Sequence, residues 1–182
     1  MLILKILNNM KLKIKVKELT EGCMPVITAK GDWCDLKAAE TIEIKAPQAG
    51  VQYQKDNNKY RDVFTETVYI PLGVAMKLPD GFEAIVASRS SSPNKFKVFI
   101  PNGIGIIDNT YKGNNDQWYY VAAPMNNTII ERGTRICQFR IQLSQKATMW
   151  QKIKWFFSSG IEFVKVDNLD DVSRGGLGST GY

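Results

Sequence analysis

The chain has 182 residues, with 24 Lys and Arg against 18 Asp and Glu, and it contains no histidine. That length suits one domain with a buried core, and the missing imidazole excludes Ser-His and Cys-His nucleophile pairs, the H-E-x-x-H zinc helix and His-bound metal triads. Acid–base work then falls to carboxylate, Tyr, Lys, Cys or positioned water.

Residues 1–9 are apolar but short, with no basic n-region and no small-residue cleavage site, so they read as a loosely held extension. Residues 10–172 read as a single β domain. Leu12, Ile14 and Val16 alternate with Lys11, Lys13, Lys15 and Lys17, the period of a strand with one face buried and one in water. Residues 46–62 are polar and read as an extended inserted loop. Short β-rich runs follow at 68–70, 74–78, 82–87, 96–100, 118–123, 128–131, 135–143 and 161–166, punctuated by turn residues such as Pro79-Asp80-Gly81. Many short strands with turn signals predict an all-β sandwich, barrel or jelly roll. Residues 145–157 form the one predicted helix, with Met149, Trp150, Ile153, Phe156 and Phe157 at three- and four-residue spacing. Ser144 is its expected cap, and Ser158-Ser159-Gly160 its stop. Packing on its own sheet or oligomer is favoured over a membrane or partner arm.

The net charge of +6 is local. Residues 1–17 carry five Lys and no acid, and residues 145–157 carry three Lys and no acid. Taking these eight from 24 leaves 16 basic residues against 18 acidic ones. The body of the chain is therefore not a basic domain, and no nucleic-acid partner is expected. No apolar run approaches the ~18–20 residues of a membrane span. Cys23, Cys34 and Cys137 are odd in number and form no C-x-x-C pair, which points to a reducing cytoplasm rather than a zinc ribbon or a disulfide framework.

Five segments carry chemistry. Gly31-Asp32-Trp33-Cys34-Asp35-Leu36-Lys37 begins an acidic stretch that invites a metal reading or a plain polar turn. Arg89-Ser90-Ser91-Ser92 clusters donors after a strand. Asn102-Gly103-Ile104-Gly105-Ile106-Ile107-Asp108-Asn109-Thr110-Tyr111 places Asp108 either to orient a water or to form an Asx turn, with glycines beside it that let a flat base touch backbone. In Arg135-Ile136-Cys137-Gln138-Phe139, Gln138 alternates with apolar neighbours. Residues 173–182, with Arg174, Gly178, Ser179 and Thr180, have the composition of a phosphate cradle but lack the Lys-Ser/Thr ending of a Walker loop.

Taken in order, these segments resemble the five motifs of the trimeric dUTP diphosphatase (dUTPase) family. The variants Gly-Asp-Trp-x-Asp-Leu, Tyr-Lys-Gly-Asn-Asn-Asp and Arg-Ile-Cys-Gln-Phe-Arg are most similar to the branch of Gram-positive bacteria and their phages. The resemblance implies a distorted jelly roll of the β-clip type with one short inserted helix. It implies a homotrimer whose sites draw segments from all three chains, and Mg2+-dependent hydrolysis of dUTP to dUMP and diphosphate. Such a reaction limits uracil in DNA and supplies dUMP.

By matching positions, Asp108 orients and activates the water and contacts the 3′-hydroxyl, with Gln138 and Arg174 completing the catalytic set. Tyr111 packs under the deoxyribose, and Asn102 with the backbone at Gly105 and Ile107 reads uracil. Arg89, Ser90, Ser91 and Gln138 hold phosphates, while Gly178, Ser179 and Thr180 close with Arg174 as a mobile tail. Mg2+ rides mostly on the triphosphate, with Asp35 acting through water. The chain departs from the family at Leu177, where an aromatic often stacks on the base, and Tyr119 is the expected substitute. It departs again at Asn114, where Glu is frequent. The alternatives are a dCTP deaminase of similar fold, and a regulatory or binding protein that uses the inserted segments to hold a protein partner.

Overall fold

The computed structural model describes residues 10–53, 59–64 and 67–175. The proposed extension at 1–9 and the tail positions Leu177, Gly178, Ser179 and Thr180 lie outside these residues. Strand β1 (Met10–Glu18) follows the lysine alternation: Leu12, Ile14 and Val16 are buried and Lys11, Lys13 and Lys15 exposed. The following strands are β2 (Val26–Ile27), β3 (Cys34–Lys37), β4 (Ile42–Ile44), β5 (Gln48–Tyr53), β6 (Lys59–Phe64), β7 (Val68–Lys77) and β8 (Phe82–Ser88). Helix α1 (Ser92–Phe96) precedes β9 (Val98–Phe99), β10 (Gly105–Ile107), β11 (Gln117–Pro124), β12 (Thr128–Ile130) and β13 (Arg135–Leu143). Helix α2 (Met149–Phe156) leads into β14 (Ser158–Lys165).

Two five-stranded sheets carry the fold, ordered β14-β1-β7-β11-β9 and β10-β8-β13-β3-β2. Alternate side chains of both sheets meet in one core. Leu12, Ile14, Leu72, Met76, Trp118 and Tyr120 come from the first, and Phe82, Val86, Leu36, Cys137 and Phe139 from the second. Phe139 sits at its centre, edge-on to Trp118 at 5.2 Å between ring centroids and 6.0 Å from Phe163. All three cysteines are free and buried there. Burial pushes the Cys34 thiol up to about 11 and Cys137 higher still, as expected of core residues rather than nucleophiles.

The structure corrects several expectations. Within the stretch expected as a loop, residues 48–53 and 59–64 are strands: β5 and β6 pair antiparallel, Gln48 opposite Phe64 and Tyr53 opposite Lys59. Backbone pairing in a two-stranded ribbon needs no apolar alternation, so polarity alone hid it. The runs at 68–70 and 74–78 are one strand through Pro71 and Gly73, and the run at 96–100 begins inside α1. The cap of helix α2 lies four residues later than expected. Thr148, not Ser144, closes a capping box, with Thr148 N donating to Gln151 Oε1 at 2.7 Å and Gln151 N to Thr148 Oγ1 at 3.4 Å.

The helix meets the body through Trp155, whose ring lies 5.3 Å from that of Phe82, and through Gln151, which covers Gly81 so closely that a Cβ there would collide with it. Gly81 also has φ +84°, a conformation that favours glycine. The periodic set Met149, Trp150, Ile153, Phe156 and Phe157 faces outward instead of packing on its own sheet. Phe139→Ala is expected to lower the unfolding free energy by about 3–5 kcal/mol, seen as an earlier urea midpoint with an unchanged slope.

Candidate active site

Strand β10 is an edge. It pairs with β8, Gly105 opposite Val86 and Ile107 opposite Ala84, and no other described strand lies against it. Its free side offers backbone donors and acceptors that can read the edge of a flat ring. Asn102 is exposed in the turn leading into it, and Ile104 N bonds to its carbonyl at 2.9 Å.

Asp108 follows β10 directly and has two distinct oxygens. Oδ1 accepts from Thr110 N at 2.8 Å and from the Thr110 hydroxyl, which is Asx-turn chemistry. Oδ2 accepts from Arg174 Nη1 at 2.6 Å, and the same Nη1 donates to Thr110 Oγ1 at 2.6 Å. Asn109 anchors the turn by donating to Pro79 O at 2.9 Å. The Asp108 side chain keeps 49% exposure. Partial burial pulls its pKa up, but the bonds from Thr110 and Arg174 outweigh that and hold the carboxyl below its ordinary 3.8. The result is a carboxylate, ionised near neutral pH and open to water, that can orient and deprotonate a nucleophile. Tyr111 stands beside it, its hydroxyl donating to Gln117 O at 2.8 Å. Burial first, then Asp116 and Tyr119, push this phenol up to about 12, so it stays a neutral donor.

A second cluster forms where β3, β13 and β8 lie side by side. Gln138 stands opposite Asp35 on one strand and Ala87 on the other. Asp35 is buried, with Oδ1 accepting from Arg89 Nε at 2.9 Å and Oδ2 from Arg135 Nη1 at 3.0 Å. Gln138 Nε2 donates to Ser88 O at 3.4 Å. Ser90 and Ser91 are exposed just past the strand, whereas Ser92 is buried and spent on Ile136 O at 2.8 Å. Two guanidinium groups anchored on one carboxylate, beside exposed hydroxyls, make a rigid anion-binding face.

Both oxygens of Asp35 accept from guanidinium donors, so it anchors Arg89 and Arg135, and no group of three metal-ligating side chains occurs among the described residues. No step below runs through a metal.

Alternation along β11 turns Trp118 and Tyr120 into the core and Tyr119 outward on the first sheet, while β10 belongs to the second. There Tyr119 lines an open cleft of about 270 Å3 with Tyr69, Glu40 and Gln117. Conversely, sequence reasoning missed Thr110 and Asp116. Thr110 bridges Asp108 and Arg174. Asp116 is buried, with Oδ2 accepting from Gly113 N at 2.8 Å and Arg174 N at 3.0 Å, and Oδ1 from Gly175 N at 3.3 Å. The Asn-Asn-Asp run after Gly113 was the available signal for Asp116. The Asn114 departure has a role too: its side chain donates to Asn168 Oδ1 at 2.6 Å and accepts from Leu169 N at 3.0 Å.

The two clusters do not meet within one chain. Asp108 stands past Ile107, which pairs with Ala84, while Arg89 follows Ser88 at the far end of β8. That leaves roughly 13 Å of strand between them.

Residues 56–154 match the family model described as dUTPase. The chain is 39% identical over 171 residues to the SPbeta prophage-derived deoxyuridine 5′-triphosphate nucleotidohydrolase YosS of Bacillus subtilis (strain 168), covering 93% of this chain and 99% of the relative. Among solved structures it resembles the dUTPase of Streptococcus mutans, at a TM-score of 0.58 and 24% identity over 74% of this chain and 98% of the other. It also resembles a dUTPase variant from phage phi11 of S. aureus, described with its coordination of a structural Mg(II) ion, at a TM-score of 0.57 and 18% identity over 75% and 94%. These structural likenesses carry the fold.

The Asp108 environment is testable by itself. Its carboxyl titration, followed by NMR, is expected to have a midpoint below 3.8 that moves up in Arg174→Ala. The matching stability is present above the unfolded carboxyl pKa and fades as pH falls through the lowered one.

Proposed function

The chain belongs to the dUTPase family, enzymes that hydrolyse dUTP to dUMP and diphosphate, and we propose that it does so with Asp108 as the water-activating carboxylate. The observation that carries this reading is the meeting of Asp108, Thr110 and Arg174 beside the open edge of β10. A uracil hydrogen-bonded along the backbone of Gly105 and Ile107, with Asn102 completing the set, puts its sugar over Tyr111. The Tyr111 ring is fixed by its bond to Gln117 O, so it excludes a 2′-hydroxyl.

Water oriented by Asp108 attacks the α-phosphorus, its proton passes to the carboxylate, and the bond to the diphosphate oxygen breaks. Hydrolysis of a phosphoanhydride depends mainly on positioning and charge neutralisation. Arg89, Ser90, Ser91 and Gln138 supply donors on the rigid face, and Arg174 with Gly178, Ser179 and Thr180 supplies them from the tail. Family membership implies Mg2+, which adds charge neutralisation when it arrives on the triphosphate.

The separation along β8 supports assembly across a homotrimer, with the Asp108 cluster of one chain facing the Arg89 cluster of another. Three buried free cysteines support a reducing cytoplasm, and no described helix is long and apolar enough to cross a membrane.

The test is diphosphate release from dUTP, dCTP, dTTP and UTP. Turnover is expected for dUTP alone, falling by about 10²–10⁴-fold in Asp108→Asn. Substantial UTP hydrolysis would remove the role given to Tyr111. Ammonia released from dCTP would point to the deaminase instead.

A further inference from the structure

We propose that Tyr120 and Ser88 are a pair of positioning residues, whose single hydrogen bond across the core aims Arg89, Ser90 and Ser91 at the phosphates. This rests on the dUTP-hydrolysing reading above and adds to it two residues that touch no substrate.

Alternation along β8 turns Phe82, Ala84 and Val86 into the core. The same period aims Ser88 inward, so Arg89 leaves the strand on the outward side, where it meets Asp35. An inward hydroxyl needs a partner, because burying an unpaired polar group is costly. The partner comes from the other sheet. Tyr120 on β11 is fully buried, and its hydroxyl shares a hydrogen bond of 2.6 Å with Ser88 Oγ. Ser88 is engaged through its backbone as well: its carbonyl accepts from Gln138 Nε2 at 3.4 Å. A shift at this one residue would therefore move phosphate donors on two strands together.

The far end of the turn is pinned in the same manner. Ser92 is fully buried and donates its hydroxyl to Ile136 O at 2.8 Å, one residue before Cys137, which stands opposite Ser88. Ser92 N closes the turn on Arg89 O at 2.9 Å, and Lys95 N bonds to Ser91 O at 2.8 Å. Arg89, Ser90 and Ser91 thus lie between two anchored hydroxyls, which holds their donors in place before a triphosphate arrives. Phe and Ala would fill the space of Tyr120 and Ser88, and replacing both partners of a hydrogen bond by apolar groups is nearly neutral for stability. What the bond adds is the direction of Ser88 and of the Arg89 that follows it.

That separation of stability from direction makes the pair testable. Tyr120→Phe is expected to lower kcat/KM for dUTP about 10-fold, since misplacing a group by about 1 Å can cost 10²-fold. Ser88→Ala, which removes the other half of the bond, should give the same loss. In an Arg89→Ala background either change should cost less than about twofold, because the charge it aims is already gone. The double variant Tyr120→Phe/Ser88→Ala should stay as impaired as Tyr120→Phe alone while its urea midpoint returns toward the wild-type value. Competitive inhibition by deoxyuridine should be unchanged throughout, since that ligand has no phosphate for the turn to hold. An equal loss in both backgrounds, activity that returns with the midpoint in the double variant, or weakened deoxyuridine inhibition would mean that the pair serves only the fold, and would overturn the proposal. Wild-type and Arg89→Ala turnover of dUTP are read in the same series. Full activity in Arg89→Ala would remove the phosphate role given to Arg89, whereas a strong loss there with full activity in Tyr120→Phe would overturn the positioning pair alone.

Discussion

Strand β8 is the constraint on which the site depends. It pairs with the edge strand β10 on one side and with β13 on the other, in fixed antiparallel register. That register leaves Asp108 at one end of the strand and Arg89 at the other, with Gln138 and Asp35 in adjacent columns. Because side chains alternate with a period of two, a slip of one residue would turn Gln138 into the core and expose Phe139. The core around Phe139, Trp118 and Phe82 therefore fixes the spacing of the chemistry as well as the stability of the fold.

Three aspartates show how environment divides one side-chain type into different roles. Asp35 is buried between two guanidinium groups and serves as their anchor. Asp116 is buried and meets backbone N–H groups of a turn and an arm. Asp108 alone of the three remains half open, one oxygen in its own turn and the other shared with Arg174. A carboxylate that must act on water needs this last setting, since the oxygens of Asp35 and Asp116 are taken up by structural donors. The Arg174 pairing also neutralises Asp108 before any triphosphate arrives, and a phosphate oxygen competes for the same guanidinium.

The outward apolar face of α2 and the β5–β6 ribbon lie apart from both clusters in the chain's connectivity. Helix α2 touches the body mainly through Trp155 and Gln151, and β5 pairs only with β6 among the described strands. They are additions to the two-sheet body rather than parts of either cluster.

Much of this was legible in the sequence. The period-two pattern of Leu12, Ile14 and Val16 and the strand at 135–143 follow from local spacing, which determines face and turn, while the order of the five segments carried the family resemblance. The absence of histidine also stands, since both clusters are built from carboxylates, guanidinium groups, hydroxyls and backbone. Long-range partners were not legible. Spacing does not reveal that Asp35 spends both oxygens on Arg89 and Arg135, that Tyr119 turns outward into a cleft with Tyr69, or that a polar stretch pairs as β5 and β6. Nor does it show that Asp116 bonds to residues 58 and 59 positions away. The sequence by itself determined where the candidate motifs lie along the chain and which faces of strands such as β1 are buried. Tertiary structure alone decided which charges meet, because burial and partners shared between distant strands set whether a carboxylate anchors, docks or reacts.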